Sequence, residues 1–387
     1  MKLEGRDNIA LIGGIVGLAA CFMGWLILKP NRLATGISLN LGDSFGWGWG
    51  SVLVGLWIIC VAASFLKKNK TRAILIGIIA NIVLVLTIAL AGFFALRILG
   101  NSSGLERVAL SGGVYLTLIA IYIVIFAAYR SLKETLTLRL ILTWSGVVIA
   151  IALVASGKLD QISVVQEFIA QKERFFQELQ QHVLLFSWSI AAGIIIGVPL
   201  GIWAFQSRKV EKPIFFLANI TQTIPSLALF GLLIAPLSLL SQTFPVLQNI
   251  GIRGIGTTPA LIALVIYSLL PIIQNTYAGL RELNPAMIDA GKGMGMGRFL
   301  IFWKIELPLS APLILEGVRT SAVQTVGNTA VAALIGAGGL GQLIFQGLGQ
   351  AASDLIILGS IPIIVLALLI DSIMRVLVKA GTPAGAR

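Results

Sequence analysis

The sequence is poor in charge, cysteine and histidine. Charged residues make up 11% of its 387 residues, whereas a soluble domain carries about 25%. The two cysteines, Cys21 and Cys60, lie in apolar segments and lack disulfide or metal-ligand spacing. The single histidine, His182, is expected to be an interfacial imidazole rather than a catalytic base. No GxxxxGK[ST] phosphate-binding loop occurs. The sequence therefore predicts no catalytic centre, metal site or cofactor on this chain.

Apolar residues dominate instead. They account for 57% of the chain, and the mean hydropathy is +0.96. A helix needs roughly 17–25 predominantly apolar residues to cross a bilayer. The following segments meet that requirement approximately: 8–28, 49–66, 73–96, 111–129, 139–156, 183–206, 214–240, 259–280, 309–335 and 353–378. The sequence thus predicts an all-α membrane protein of about ten transmembrane helices.

The formal charge of +12 reflects topology rather than nucleic-acid binding. If ten spans begin with the N-terminus inside, most of the 28 Lys and Arg residues fall on the cytoplasmic side. This agrees with the excess of basic residues in cytoplasmic loops of membrane proteins. We therefore expect a multi-pass protein with both termini in the cytoplasm.

The two halves of the chain differ in character. Residues 1–156 are expected to form an N-terminal extension of about five helices with few polar residues, Asn81 being the main exception. Residues 157–182 alternate apolar and charged side chains at helical spacing, which predicts an amphipathic interfacial helix. Residues 183–387 contain many small and polar residues and are expected to form the conducting core.

Polar side chains inside the second half are candidates for a solute pathway. Buried polar groups are costly in a bilayer and usually face a bundle interior or a water-filled path. The candidates are Gln222, Thr223, Pro225, Gln274, Asn275, Gln324 and Asn328. For each amide, a bond from helix to helix is an equally open interpretation. Two charge pairs are also predicted by spacing, Glu316 with Arg319 and Asp371 with Arg375.

A charged, glycine-rich segment separates two of the apolar runs. Residues 289–308 read DAGKGMGMGRFLIFWKIELP. A short helix is expected over 284–294, broken by Gly295 and Gly297. The spacing resembles the cytoplasmic "EAA" loop of ABC importer permeases, with Asp289 in place of the usual Glu and Gly291 in place of the second Ala.

Other blocks carry the same resemblance. They are GVPLGI at 197–202, TIPSLALFGLL at 223–233 and EGVRTSAVQTVGNTAVAALIGAGGLG at 316–341. About residues 160–380 closely resemble the permeases of glycine betaine, choline and related osmoprotectant ABC importers. The extra N-terminal spans resemble a longer subgroup, whose PNRL-like stretch appears at 30–33.

The resemblance implies a five-helix type I importer core in the C-terminal half, with a coupling loop at 281–308. The expected ATPase-coupling residues are Asp289, Ala290, Gly291, Gly295, Ile305, Leu307 and Pro308. Expected partners are a cytoplasmic ATPase dimer that binds ATP and Mg²⁺, an extracytoplasmic substrate-binding protein, and a second permease copy or paralogue. The implied location is the inner membrane of a bacterium, and the implied cargo is an osmoprotectant.

Two alternatives remain open at this point. The same permease core could carry another small solute, such as an amino acid. A stand-alone secondary transporter or channel would instead need coupling-ion ligands inside the membrane, where the second half offers mostly neutral amides.

Overall fold

The computed structural model describes residues 7–32, 34–100, 106–132, 136–249 and 251–382. The chain folds as two compact units, Met1–Ala170 and Gln171–Arg387. The two chain ends predicted to be cytoplasmic, and Leu33 of the 30–33 motif, lie outside the described residues.

The described part of the first unit contains six helices and three short strands. In chain order they are α1 Asn8–Ala20, β1 Leu26–Lys29, β2 Ile37–Leu39, α2 Leu41–Ser64, α3 Lys70–Leu99, β3 Arg107–Leu110, α4 Gly112–Ser131, α5 Leu136–Ala155 and α6 Ser163–Ala170. The core of this unit is apolar and includes the fully buried side chains of Trp25, Phe45 and Trp57.

A small sheet replaces the end of the first predicted span. β1 lies between β2 and β3 and is antiparallel to both, with Leu26 opposite Leu39 and Leu110. The buried indole of Trp25 donates from Nε1 to the Ala20 carbonyl at 2.9 Å, which fixes the chain just after α1 ends. The prediction of one span over 8–28 is therefore wrong beyond residue 20. β1 pairs with β3, which is distant in sequence, so no local pattern revealed the sheet.

Asn81, the polar exception of the first half, joins two helices. Its Nδ2 donates to the Leu142 carbonyl at 2.8 Å, and its Oδ1 accepts from the Gly146 N–H at 2.7 Å. These bonds link α3 to α5, a helix whose surface is otherwise largely exposed. Asn81 thus satisfies its own amide while it stabilises the pairing of α5 with α3.

The described part of the second unit contains ten α-helices, one short π-helix and one 3₁₀ turn. They are α7 Lys172–Gln206, α8 Arg208–Thr223, α9 Ser226–Thr243, α10 Val246–Asn249, α11 Thr257–Arg281, α12 Pro285–Gly293, α13 Arg298–Ile301, a π-helix Phe302–Glu306, α14 Leu307–Val331, a 3₁₀ turn Ala332–Ile335, α15 Gly341–Gly349 and α16 Ser353–Gly381.

Small residues on α7 allow close packing against α11. An added Cβ at Gly193 would lie 2.1 Å from Ser268 Oγ, and one at Gly201 would lie 2.6 Å from Thr276 Cβ. Gly197 faces Ile272 in the same way. The glycine repeat at four-residue spacing therefore marks a helix contact, and the structure identifies α11 as the neighbour.

The number and extent of the predicted spans need correction. Eight described helices are long and apolar enough to cross a membrane: α2, α3, α4, α5, α7, α9, α11 and α16. α1 has 13 residues, and the polar side chains of the 25-residue α14 lower its hydropathy. The predicted span 214–240 is broken at Ile224 and Pro225 into α8 and α9. The all-α membrane class is nevertheless confirmed.

The segment 157–182 is not one interfacial helix. α6 ends at Ala170, and α7 begins at Lys172 and continues to Gln206. The polar face of the first turns of α7 instead packs on the glycine loop after α14. Glu178 accepts the Gly339 N–H at 2.7 Å, and Gln181 donates to the Ala337 carbonyl at 3.0 Å. His182 is fully buried, with Nε2 3.1 Å from the Val326 carbonyl oxygen, so the expectation of an interfacial imidazole is wrong.

Candidate functional site

The segment between α11 and α14 forms a short helix with defined ends. α12 begins after Asn284, whose side chain accepts the Ala286 N–H at 3.0 Å, and Pro285 occupies its first turn. α12 is followed by Gly295 at φ +80°. An L-residue with a side chain rarely adopts that backbone conformation. The predicted helix, broken at Gly295, is therefore confirmed.

Gly291 is the buried residue of α12. An added Cβ there would lie 2.8 Å from Ile305 Cδ1 and 3.5 Å from Ile301 Cγ1. The glycine that departs from the usual second alanine thus lets α12 lie close to the chain just before α14. The sequence indicated only the loss of helix propensity at this position, because the contact with Ile305 depends on the fold.

The opposite face of α12 and the chain that follows it are exposed. Asp289 and Lys292 form a solvent-exposed pair, with Nζ 3.0 Å from Oδ1. Met294 and Phe299 expose about three quarters of their surface, and Trp303 exposes half. Large exposed apolar side chains beside charges are typical of a protein-binding surface.

A cavity of about 710 Å³ lies beside this surface. Its wall includes Phe205 at the end of α7, Ile288 and Lys292 on α12, and Phe302 before α14. The cavity thus joins the end of a long helix to the exposed loop. A partner side chain that enters it would contact α7 and α12 together.

The chain changes its helical pitch before α14. The Leu307 N–H bonds to the Phe302 carbonyl, five residues earlier, at the end of the π-helix. Pro308 has no N–H to continue the ordinary pattern. The Ile-x-Leu-Pro motif therefore has a local role: Ile305 packs on Gly291, while Leu307 and Pro308 begin α14.

Gln222 binds a backbone group that a proline leaves free. Pro271 has no N–H to donate to the carbonyl four residues earlier, that of Tyr267. Gln222 Nε2 donates to this carbonyl at 2.9 Å. The Tyr267 hydroxyl in turn donates to the Ile224 carbonyl at the break between α8 and α9. Sequence reasoning missed Tyr267, although its position four residues before Pro271 signals a free carbonyl.

This arrangement predicts that a second substitution will rescue the first. Gln222→Ala leaves the Tyr267 carbonyl unpartnered and is expected to cost about 1 kcal/mol of unfolding free energy. Pro271→Ala restores an N–H within α11, so Gln222→Ala should cost little in that background. Unfolding by denaturant in detergent micelles, as a double-mutant cycle, measures the difference. Equal costs in both backgrounds would contradict the arrangement, and Gln324→Ala serves as the control because Gln324 is exposed.

The other predicted pathway residues fall into two groups. Thr223 and Asn275 donate to carbonyls of their own helices, Ile220 and Pro271, at 2.8 Å each, and Pro225 is the cap residue of α9. Gln274 and Gln324 are exposed and Asn328 is half-buried, and within the described residues these three amides have no hydrogen-bond partner. The second group is thus available to a solute or to another chain.

Both predicted charge pairs are confirmed, and the structure joins them. Arg319 pairs with Glu316 on α14, and Arg375 Nε lies 2.8 Å from Asp371 Oδ2 on α16. Arg319 Nε also lies 2.6 Å from Asp371 Oδ1. The four side chains form a neutral network that connects α14 to α16, a contact that neither sequence spacing revealed.

Each of the two units matches a different protein-family model. Residues 189–380 match the family described as binding-protein-dependent transport system inner membrane component. Residues 6–165 match the N-terminal domain of the ABC transporter permease YehY. The resemblance to a longer group of permeases, with additional N-terminal helices, is therefore confirmed.

Characterised relatives match the chain over half its length. The osmoprotectant import permease protein OsmW of Salmonella typhimurium is 38% identical over 211 residues, which cover 54% of this chain and 91% of OsmW. The choline transport system permease protein OpuBB of Bacillus subtilis is 38% identical over 205 residues, which cover 53% of this chain and 87% of OpuBB.

A solved structure of the MetNI methionine ABC transporter, in an inward-facing conformation, matches 55% of this chain and 99% of the MetNI chain at 22% identity and a TM-score of 0.48.

Members of the matched family work with an ATPase and a substrate-binding protein. The confirmed loop helix, the eight apolar helices and the family match agree with one another. The chain belongs to the binding-protein-dependent transport system inner membrane components, the multi-pass permeases of ABC importers.

Proposed function

We propose that this permease imports glycine betaine or a related quaternary ammonium osmoprotectant, driven by ATP hydrolysis on a separate subunit. The identity to osmoprotectant and choline permeases, at 38% over nearly their whole length, carries the proposal. The neutral amides of Gln274, Gln324 and Asn328 support it, because they offer a zwitterion weak hydrogen bonds and no trapping charge.

The segment 281–308 is proposed to receive force from the ATPase. α12 is a compact element set against Ile305, so a displacement of α12 reaches the start of α14 through packed side chains. Asp289, Ala290 and the exposed apolar side chains nearby provide the contact surface, and Gly291, Gly295, Ile305, Leu307 and Pro308 hold its geometry. ATP and Mg²⁺ bind to the partner, and this chain supplies no catalytic group or cofactor site.

The transport cycle is proposed to be alternating access. Two permease copies, identical or paralogous, face one another across the pathway. When the ATPases close on ATP, their coupling segments approach one another and the paired cores open towards the binding protein. The coupling segment and both ends of the chain are proposed to lie in the cytoplasm. Gln222, Thr223, Pro225 and Asn275 shape the helices beside the pathway, and Gln274, Gln324 and Asn328 line it.

Reconstitution tests this function. The permease, its ATPase and its binding protein are placed in proteoliposomes, and uptake of labelled glycine betaine, choline and amino acids is measured with and without ATP. We expect ATP-dependent uptake of glycine betaine or choline that requires all three components. ATP-driven uptake of an amino acid alone would support the other permease hypothesis. Uptake by the permease alone would indicate a secondary transporter and refute the proposal.

A further inference from the structure

A second cavity lies at the end of the core opposite the coupling segment. α11 has 25 residues, about 37 Å of helix at 1.5 Å per residue, and it separates the turn at 251–256 from α12. The cavity has a volume of about 640 Å³ and is lined by Arg253, Ser238, Thr257 and the backbones of Gly254, Gly256 and Gly336. This volume falls within the range of small-molecule sites.

Arg253 supplies the charge of this cavity. Between residues 213 and 280 it is the single charged residue, and residues 320–353, which contribute Gly336, contain none. Arg253 is exposed and has no hydrogen bond or ion pair within the described part of the chain. The wall therefore presents one unneutralised guanidinium among neutral groups.

The turn that carries Arg253 is held in place by its neighbours. The Gly256 N–H, at φ +100°, donates to the Ile335 carbonyl at 2.9 Å. Gly254 is buried, and an added Cβ there would lie 1.8 Å from Ser238 Oγ. Thr258 Oγ1 donates to the Gly251 carbonyl at 2.7 Å. The turn thus connects α9, α11 and the end of α14 around one cavity.

We propose that Arg253 binds the carboxylate of a zwitterionic substrate as it enters the permease from the extracytoplasmic side. This inference rests on the proposed function. A guanidinium binds a carboxylate through two parallel hydrogen bonds, and at an exposed position the pair is weak enough to release the substrate inward. The same charge repels a substrate that carries an ammonium group and no carboxylate. Arg253 is thus a specificity residue that favours betaine-like over choline-like solutes.

The test uses the complete importer with Arg253→Gln and Arg253→Lys. At subsaturating glycine betaine, Arg253→Gln should lower uptake about fivefold, and Arg253→Lys should give an intermediate rate, because it keeps the charge but loses the paired hydrogen bonds of the guanidinium. Affinity of the loaded binding protein for the importer in nanodiscs should be unchanged in both variants. Where the wild type also carries choline, Arg253→Gln should leave choline uptake unchanged or raise it.

Three outcomes would overturn the inference: unchanged betaine uptake in Arg253→Gln, an equal fall for betaine and choline, or a parallel loss of binding-protein affinity. The last would mean that Arg253 meets a carboxylate on the binding protein. The wild-type importer separates this failure from that of the proposed function. A wild type that carries neither betaine nor choline refutes the function itself, whereas a variant that matches an active wild type refutes only the role of Arg253.

Discussion

Replacement of Gly295 by valine is expected to separate ATP hydrolysis from transport. Gly295 has φ +80°, and nothing lies within 4 Å of an added Cβ, so any penalty comes from the backbone. A left-handed conformation costs an L-residue about 1–2 kcal/mol, which corresponds to a roughly five- to thirtyfold fall in the native loop population. ATP-driven uptake in proteoliposomes should fall by that factor, while ATPase activity and membrane insertion persist.

Gly297 provides a matched control two residues away. Its φ is −70° and its ψ is 161°, a conformation that valine adopts readily, and it also has no neighbour within 4 Å of an added Cβ. Gly297→Val should therefore transport at close to the wild-type rate. Gly295→Asn should lie between the two, since asparagine tolerates positive φ. Equal effects at 295 and 297 would show that the backbone conformation of Gly295 is unimportant for coupling.

The largest expected effect on stability comes from Arg319→Met. This change removes the central cation of the network. Two carboxylates, Glu316 and Asp371, then remain with one cation, Arg375. The loss of one partner of a buried ion pair costs several kcal/mol, and because Arg319 and its partners are only partly buried we expect a smaller loss of about 2–3 kcal/mol. Denaturant titration in detergent micelles measures the loss, and α16 should become more sensitive to proteolysis.

Two further variants separate charge from packing. Arg375 is 65% exposed, so Arg375→Met should cost less than about 1 kcal/mol. Glu316→Gln and Asp371→Asn, added to Arg319→Met, remove the uncompensated acids and should recover most of the lost stability. A triple variant as unstable as Arg319→Met alone would assign the effect to lost packing of the arginine side chain, and not to unpaired charge.

The short helix between α11 and α14 was predictable because its signals are local. Asn284 and Pro285 mark the start of α12, and Gly295 marks its end. Charge pairs at i, i+3 and i, i+4 depend on helix geometry alone, so Glu316–Arg319 and Asp371–Arg375 were predicted from spacing and confirmed. The apolar runs likewise predicted the membrane class, because the thickness of a bilayer fixes the length of helix that crosses it.

Contacts between distant residues could not be predicted in this way. The sequence shows Gly291 only as a residue of low helix propensity, whereas its close contact with Ile305 depends on the fold. The sequence left Gln222 open as a pathway amide or a link between helices, and only the fold shows that its amide bonds the Tyr267 carbonyl of α11. The sheet that ends the first predicted span and the Arg319–Asp371 contact are also long-range.

The sequence by itself determined the membrane class, the family resemblance and the position of the short helix α12, since length, composition and helical spacing are properties of neighbouring residues. Only the tertiary structure decided which polar groups are satisfied and which are free, because a hydrogen bond between helices depends on how they pack. That distinction separates Gln222 from Gln274 and Gln324, and within the described residues it identifies Arg253 as an unpaired charge on the wall of the cavity at 251–256.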